Sequence, residues 1–209
     1  MKYNLILIAL VFIGFSCAPR IYEAPNMDAQ ISRHRVIAVL PATVSIKGRP
    51  NDDPEALRQY AENDRVNFQT QIIGWMLRRK QQGRVRVNIM DQATINARLT
   101  EAGYFDEGGN TNTPAELASI LDVDGIVLSN FRLTKPMSDG ANIAVGLLLG
   151  VWGNANQTEA TLDIHDGRSG ELLWNYNWEA GSTAFSTHEE LVNGLMRNAS
   201  RRMPYITRR

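Results

Sequence analysis

TLDIHDGRSGELLWNYNWE, residues 161–179, is the stretch that decides the fold of this chain. Apolar and polar residues alternate on both sides of the central DGRSG, which is typical of two antiparallel strands joined by a tight turn with glycine in the left-handed conformation. We predict strands over Glu159–His165 and Glu171–Glu179. Each strand should present one apolar face, made of Ala160, Leu162 and Ile164 on the first and of Leu172, Trp174, Tyr176 and Trp178 on the second.

Two continuous apolar runs predict strands that are covered on both faces. They are VIAVLP, Val36–Pro41, and the run Gly125–Leu133, which begins GIVLSNF. Such runs are typical of strands buried between helices. Val85, Val87 and Ile89 alternate with polar residues instead, and this pattern indicates a strand with one solvent-exposed face.

Helix start and stop signals separate these strands. Asp53 precedes Pro54 and should begin the longest helix, which Gly83 ends. Asp91 begins a second helix that runs from Gln92 to Ala102. Capping boxes predict the other two helices, one opening with Thr113-Pro114-Ala115-Glu116 and one with Ser186-Thr187-His188-Glu189.

Two stretches interrupt these patterns. Residues 43–53 carry Gly48, Pro50 and an Asn-Asp-Asp cluster, and are predicted to be a polar loop. Gly74 lies inside the longest helix, where glycine costs about 1 kcal/mol relative to alanine. We therefore expect a close neighbour at that turn.

The element order predicts the fold class. It is β-α-β-α-α-β-(apolar insertion)-β-β-α, which gives an α/β (α+β mixed) protein with a single mixed β-sheet of about five strands and helices packed on it. The predicted organisation is a signal peptide over 1–16, a lipidated tether over 17–33 and one mixed-sheet domain over 34–209.

The N-terminus carries the clearest functional signal. MKYNLILIALVFIGFSC has a charged start at Lys2, an unbroken apolar run and a small residue, Ser16, before Cys17. This order is typical of a secretory signal peptide. The cysteine at the cleavage point resembles the lipidation site of bacterial lipoproteins, so Cys17 is predicted to be the lipidation site and the mature N-terminus. The alternatives are a signal anchor, or secretion after cleavage elsewhere.

Composition excludes several function classes. Lys and Arg total 22 and Asp and Glu total 22, so no net field attracts nucleic acid. Cys17 is the only cysteine, which leaves no internal disulfide and, once lipidated, no free thiol. Several acyl chains anchor a protein stably without a membrane-spanning segment. The acid-free Ala18-Pro19-Arg20 resembles the signal that sends lipoproteins to the outer membrane.

The segment NIAVGLLLGVWG, residues 142–153, is the most apolar internal stretch. As a helix it spans about 18 Å, which is short of the roughly 30 Å hydrocarbon core. It is interpreted as a buried helix or lid, as an exposed surface for a partner, or as a membrane-inserted segment. The candidate partner surface consists of Ile143, Val145, Leu147, Leu148, Leu149, Val151 and Trp152.

The other candidate groups have structural interpretations. The stripe Trp174, Tyr176 and Trp178 favours a packed sheet face over a ligand platform. Basic residues at 78–80, and again near the C-terminus at Arg197, Arg201, Arg202, Arg208 and Arg209, favour helix ends over anion sites. His34, His165 and His188 lack metal-ligand spacing, so neither a metal site nor a cofactor is predicted. No catalytic motif is present, although an Asp-His-Ser set could still assemble in space.

The strand patterns resemble the curli-secretion-channel lipoprotein family and its relatives, which include lipoproteins that activate peptidoglycan synthases and the N-terminal domain of the translocation protein TolB. The matching stretches are VIAVLP (36–41), ILDVDGIVLSNF (120–131), TLDIHDGRSGELLWNYNWE (161–179) and ASRRMPY (199–205). The resemblance implies a mixed-sheet domain used for assembly and binding. The pore-forming members carry two long membrane hairpins, and this chain has no room for both.

Together these patterns predict a non-enzymatic lipoprotein of the bacterial cell envelope, held at the periplasmic face of the outer membrane. Its partners are expected to be the membrane, through the lipid, and other envelope proteins in an assembly or secretion apparatus; a homo-oligomer is possible and nucleic acid is not expected. The alternatives are a ring-forming export pore subunit, a binder of a small ligand or cell-wall fragment with a pocket beside Trp174 and Trp178, and a hydrolase.

Overall fold

The computed structural model describes residues 20–48, 50–106, 111–134, 157–181 and 187–207. The strands in these ranges are β1 (Ile21–Glu23), β2 (Val36–Val39), β3 (Thr43–Lys47), β4 (Asn88–Ile89), β5 (Gly125–Thr134), β6 (Gln157–Asp166) and β7 (Leu172–Gly181). The helices are α1 (Met27–Ile31), α2 (Pro54–Gln81), α3 (Gln92–Glu101), α4 (Pro114–Leu121) and α5 (His188–Ala199).

All seven described strands form one mixed sheet. Its order is β1-β7-β6-β5-β2-β4, and β3 also pairs with β5. β5 is parallel to β2 and β3 and antiparallel to β6, and β6 and β7 form the predicted hairpin. The register of this hairpin shifts between Ile164 and His165, where Leu173 is the extra residue. The predicted fold class, one mixed sheet with helices packed on it, is confirmed.

The prediction of a polar loop over 43–53 is wrong for its first half. Thr43–Lys47 is β3, which runs along β5 from Thr43 opposite Asn130 to Lys47 opposite Thr134. β2 and β3 therefore lie in succession along the same edge of β5. The alternating pattern in β3 is short and only weakly apolar, so its strand conformation depends on pairing with β5. Sequence periodicity does not predict that pairing.

β1 lies inside the range that was predicted to be a tether. Ile21, Tyr22 and Glu23 pair antiparallel with β7, and α1 follows directly. Any tether after Cys17 is consequently shorter than 17–33. The predicted strand around Val85–Ile89 is also shorter, because only Asn88–Ile89 pairs with β2, while Val85 forms a single bridge with Ile206.

The main core lies between one face of the sheet and the helices α2 and α5. Phe68 of α2 stacks on Phe131 of β5, with ring centroids 3.9 Å apart. The aromatic stripe of β7 joins this core, since Trp174 and Tyr176 are buried and Trp178 is half-buried. The interpretation of the stripe as a packed sheet face is confirmed for its first two members.

The predicted helix caps are present. Asp53 accepts a hydrogen bond from Glu55 N, and Asp91 accepts one from Thr94 N. Thr113 forms the complete capping box with Glu116. At α5 the cap is Thr187, whose hydroxyl accepts from Glu190 N, so the cap lies one residue later than the predicted Ser186.

Gly74 has no tight neighbour, contrary to the prediction. A Cβ at this position would meet only Arg78 Nη1, at 3.8 Å. Gly74→Ala should therefore raise the free energy of unfolding by about 1 kcal/mol, because alanine restricts the unfolded chain and favours the helix. Urea unfolding measures the change.

Gly83→Ala is the matched control for that prediction. Gly83 ends α2 with φ of 68° and open space around it. A Cβ there is strained by the left-handed backbone alone, so this variant should lose about 1 kcal/mol. A destabilising Gly74→Ala would show that α2 is closely packed at that turn after all.

Candidate functional site

The two predicted site elements, Cys17 and the apolar segment 142–153, lie outside the described residues. The described residues bring together a different group, which was not among the predicted site residues. His34, Asp166 and Tyr205 meet at the end of the sheet where β2 and β5 begin. We refer to these three residues as the polar cluster.

His34 is the centre of the polar cluster. Its Nδ1 lies 2.8 Å from the Tyr205 hydroxyl and its Nε2 lies 3.0 Å from Asp166 Oδ1. All three side chains are buried. The first residue of β5, Gly125, makes room for them, because a Cβ there would stand 2.7 Å from both His34 Nδ1 and the Tyr205 oxygen.

Asp166 ends β6 and also organises the hairpin turn. Its Oδ2 accepts hydrogen bonds from Ser169 Oγ and N, both at 2.8 Å, and from Arg168 N at 3.2 Å. Burial raises the pKa of this carboxyl, but hydrogen bonds from His34 and Ser169 outweigh it, so the net pKa lies below its ordinary value. Asp166 is therefore ionised at neutral pH and can only accept, which places a proton on His34 Nε2.

Tyr205 supplies the other end of the cluster. Burial, and then the negative charges of Asp166 and Asp124, raise the pKa of its phenol far above the ordinary value. Tyr205 consequently keeps its proton, and in the neutral imidazole it donates that proton to His34 Nδ1.

Asp124 supports the same end of the sheet through the backbone. Its Oδ2 accepts from Arg35 N at 2.8 Å and from Val36 N at 2.9 Å. Burial raises the pKa of Asp124, but the hydrogen bonds from Val36 N and Arg35 N, together with the Arg35 charge, lower it by more, so the net shift is downward. The carboxylate thus ties the turn before β5 to the start of β2.

The geometry of the polar cluster favours a structural role. Ser169 donates its hydroxyl to Asp166 and not to the imidazole, so the serine is not activated as a nucleophile by His34. Both imidazole nitrogens are already engaged by buried partners. The cluster joins three segments that are far apart in sequence: the entry to β2, the β6–β7 turn and the C-terminal segment.

A cleft of about 280 Å³ adjoins the polar cluster. It lies beside the amino-terminal ends of the parallel strands β2 and β5, whereas ligands of open α/β sheets usually bind outside the carboxyl ends. Its lining mixes both charge signs, which suits a small polar molecule more than a single anion. The charged lining residues are Arg33, Asp122, Asp124, Asp166 and Arg168.

A second cleft, of about 230 Å³, lies on the strands β5, β6 and β7. Asn130, Thr161 and Asn177 form one cross-strand row in its lining, and Arg132, Glu159 and Glu179 form the next. Trp178 is also among the lining residues, but Trp174 is fully buried in the core. The expected pocket beside both tryptophans is therefore wrong for Trp174.

A second buried histidine–aspartate pair lies between α2 and α5. His188 Nε2 is 2.8 Å from Asp64 Oδ1, and the rings of Phe68 and His188 form a T-shaped contact with centroids 4.7 Å apart. In the sequence, Asp64 only interrupts the apolar face of α2. A charged residue on a buried helix face needs a polar partner, so the position of Asp64 in the sequence could have predicted one.

The remaining candidate groups fill structural roles. Arg79 and Lys80 lie in the last turn of α2, as predicted, where the Arg79 guanidinium lies over the Trp75 ring at 4.9 Å and Lys80 Nζ donates to Val87 O at 2.7 Å. His165 Nδ1 lies 3.1 Å from Gly170 O. Within the described ranges, no three His, Cys, Asp or Glu side chains are placed to hold a metal, and no helix is long and apolar enough to cross a membrane.

The lowered pKa of Asp166 predicts acid sensitivity. The pKa of Asp166 is lower in the folded chain than in the unfolded chain, where it is about 4. The ionised carboxylate therefore stabilises the fold at pH values above the unfolded-state pKa, and this stabilisation is lost as the pH falls through the folded-state pKa. The free energy of unfolding, measured in urea from pH 7 downward, should therefore decrease below about pH 4. Asp166→Asn should lower stability at pH 7 and flatten this decrease.

Asp28→Asn is the control for the acid experiment, because Asp28 is an exposed carboxylate of α1. It should leave both the stability at pH 7 and its pH dependence close to wild type. An Asp166→Asn profile parallel to that of wild type would contradict the assignment.

Comparison with known proteins gives a fold likeness only. No protein-family model and no curated protein matches the sequence. Among solved structures, lipoprotein GNA1162 from Neisseria meningitidis is 12% identical over 81% of this chain and 97% of that chain, with a TM-score of 0.42. The C-terminal domain of LpoB from Salmonella enterica is 11% identical over 74% and 95%, with a TM-score of 0.37. A PelC dodecamer from Paraburkholderia phytofirmans is 11% identical over 91% and 98%, with a TM-score of 0.40.

The first of these structures is a bacterial lipoprotein by name, as the sequence predicts for this chain. None of the three is a curli secretion channel, so they do not support the predicted resemblance to the curli-secretion-channel lipoproteins. TM-scores below 0.5 are too low to carry an argument about function.

Proposed function

We propose that this protein is a lipoprotein of the bacterial cell envelope, anchored through acyl chains on Cys17 at the periplasmic face of the outer membrane. Its mixed-sheet domain binds other envelope proteins as an assembly component and catalyses no reaction. The lipid confines the domain to one surface, which raises its local concentration for a partner on that surface.

The observation that carries this proposal is the N-terminal sequence. A charged start, an apolar run and Ser16 lead to the only cysteine of the chain. The position of β1 is compatible with an anchor there, since its pairing with β7 begins at Ile21, four residues after Cys17. The hydrogen bond from Ser169 to Asp166, and not to His34, argues against a serine hydrolase at the polar cluster.

We further propose that the apolar segment 142–153 is the partner surface. Its support is the sequence alone, which concentrates apolar residues there between two polar stretches. The other interpretations of this segment, a lid on the core or an inserted segment, make different predictions. The proposed contact residues are Ile143, Val145, Leu147, Leu148, Leu149, Val151 and Trp152.

Mass spectrometry of the mature protein and membrane fractionation test the anchor. Wild type should begin at Cys17, carry acyl chains and sediment with the outer membrane. Cys17→Ser should be unacylated and leave that fraction. Ser16→Ala is the matched control, because it keeps a small residue before the cysteine and should behave like wild type. An unacylated wild-type protein would refute the anchor.

Co-purification after crosslinking tests the partner surface. Leu147→Asp combined with Leu149→Asp should abolish recovery of a defined partner while leaving urea unfolding unchanged. A large loss of stability would instead make the segment part of the core. A defined homo-oligomer in detergent that the double variant dissociates would favour the ring-forming alternative.

A further inference from the structure

We propose that the β1 edge of the sheet lies against an anionic phospholipid surface. Four exposed side chains flank this edge from the two faces of the sheet, and we call them the β1 surface: Arg20, Tyr22, Arg201 and Arg202. The inference deepens the proposed function and rests on the lipidation of Cys17.

The first argument is the length of chain between the anchor and the sheet. Asn177 N donates to Arg20 O at 3.0 Å, and Ala24 N donates to Leu173 O at 2.9 Å, so the backbone is fixed to β7 from Arg20 onward. Three residues span at most about 11 Å between Cys17 and Arg20. This reach is close to the Debye length of about 8 Å at physiological salt, so charges on this edge act on the membrane to which Cys17 is attached.

The second argument is the position of β1 in the sheet. β1 is the terminal strand of the order, and β3 lies beyond β5 on the other side. Four strand spacings separate β1 from β3, which is about 19 Å. A short anchor before β1 therefore holds one edge of the sheet near the bilayer and the other edge away from it.

The third argument is the chemistry of the residues at this edge. Arg201 and Arg202 follow α5 and reach β1 from the C-terminal side. Arg202 Nη1 lies 3.8 Å from Glu23 Oε1, and Arg201 directly precedes Arg202 in the chain. Arg201 and Arg202 are exposed, as is Arg20.

Tyr22 adds an exposed aromatic residue to the same edge, on the opposite face of the sheet from Glu23 and its partner Arg202, because side chains alternate along a strand. It pairs with Asn175 and is 47% exposed, the largest value among the exposed large apolar side chains of the described residues. Tyrosine is enriched at membrane–water interfaces, and each arginine near an anionic leaflet strengthens binding about fivefold. Glu23 is the acidic residue on β1, and its pairing with Arg202 reduces its repulsion of lipid phosphate.

Proximity to the bilayer can be measured on the lipidated full-length protein. The Cys17 sulfur is blocked by its thioether, so a single introduced cysteine can be labelled with a fluorophore. Tyr22→Cys places the label on β1, and Ser45→Cys places it on the exposed side of β3. In vesicles of phosphatidylethanolamine and phosphatidylglycerol that contain a headgroup quencher, the label at 22 should be quenched at least threefold more than the label at 45.

The arginines are tested in the same vesicles. Arg201→Gln combined with Arg202→Gln removes two charges from the β1 surface. The ratio of molecules whose position 22 lies close to the bilayer to molecules in which it is detached should therefore fall by roughly tenfold or more. Arg201→Lys combined with Arg202→Lys should restore it. Arg58→Gln combined with Arg78→Gln, two exposed arginines of α2, is the matched control and should change nothing.

The outcomes separate the two proposals. Mass spectrometry showing no acyl chain on the wild type overturns the anchor, and the inference fails with it. Two results on an acylated protein would refute the β1 surface and leave the anchor intact. One is equal quenching at positions 22 and 45, and the other is quenching at position 22 that stays unchanged when both arginines are replaced.

Discussion

Replacing His34 with alanine is expected to lower the free energy of unfolding by about 3 kcal/mol. The substitution leaves the Asp166 carboxylate without its Nε2–H donor and the Tyr205 hydroxyl without its acceptor, in a site where all three side chains are buried. Removing one partner of a buried polar pair costs the desolvation of the group that remains, and the cavity adds to this loss. Urea unfolding at pH 7 measures it.

His165→Ala is the matched control for that experiment. His165 is half-buried on β6, and its ring contacts the Gly170 carbonyl within the same hairpin. Its replacement should cost less than 1 kcal/mol, because the freed carbonyl can be solvated. Equal losses for the two histidines would mean that the polar cluster contributes no more than a surface contact does.

Tyr205→Phe separates the two hydrogen bonds of His34. It removes only the phenol oxygen and should cost about 1 kcal/mol, leaving the bond to Asp166 in place. The double variant of His34→Ala with Tyr205→Phe should lose less than the sum of the single losses, because one hydrogen bond is counted in both. Strict additivity would show that the two side chains act independently.

Phe68→Ala is expected to have the largest effect of any substitution considered, a loss of about 4 kcal/mol. The ring is fully buried, stacks on Phe131 with ring centroids 3.9 Å apart and makes a T-shaped contact with His188 at 4.7 Å between centroids. Truncation removes its transfer free energy and leaves a cavity between α2 and the sheet, for which losses of roughly 3–5 kcal/mol are typical. Urea unfolding followed by tryptophan fluorescence measures the change.

Val66→Ala on the same helix is the control for Phe68→Ala. Val66 is among the exposed large apolar side chains, so its truncation should change stability by less than about 0.5 kcal/mol. If the two variants lose similar amounts, α2 does not pack on β5 through Phe68. Phe68→Leu should fall between them, because it restores part of the buried volume.

Local sequence patterns predicted the elements whose signals are complete within a few residues. The β6–β7 hairpin follows from alternation around DGRSG, and the helix starts follow from caps at Asp53, Asp91 and Thr113. β2 and β5 follow from their continuous apolar runs. In each case the residues that specify the element are also the residues that form it.

The polar cluster could not be predicted in the same way. His34 and Asp166 are separated by 132 residues, and His34 and Tyr205 by 171. In the sequence, each is an ordinary polar residue beside a turn or a strand. Only the buried environment, in which every polar group needs a partner, turns three such residues into one unit.

The amino-acid sequence by itself determined the mixed α+β class, the hairpin and the helix caps, because these depend on backbone preferences and apolar spacing over short stretches. Export and lipidation at Cys17 stay predictions from the sequence. The tertiary structure alone decided that Ile21–Glu23 and Thr43–Lys47 are strands, and that His34, Asp166 and Tyr205 meet. The physical reason is that short polar strands and buried polar groups are stabilised only by distant partners, and those partners exist only once the chain has closed around them.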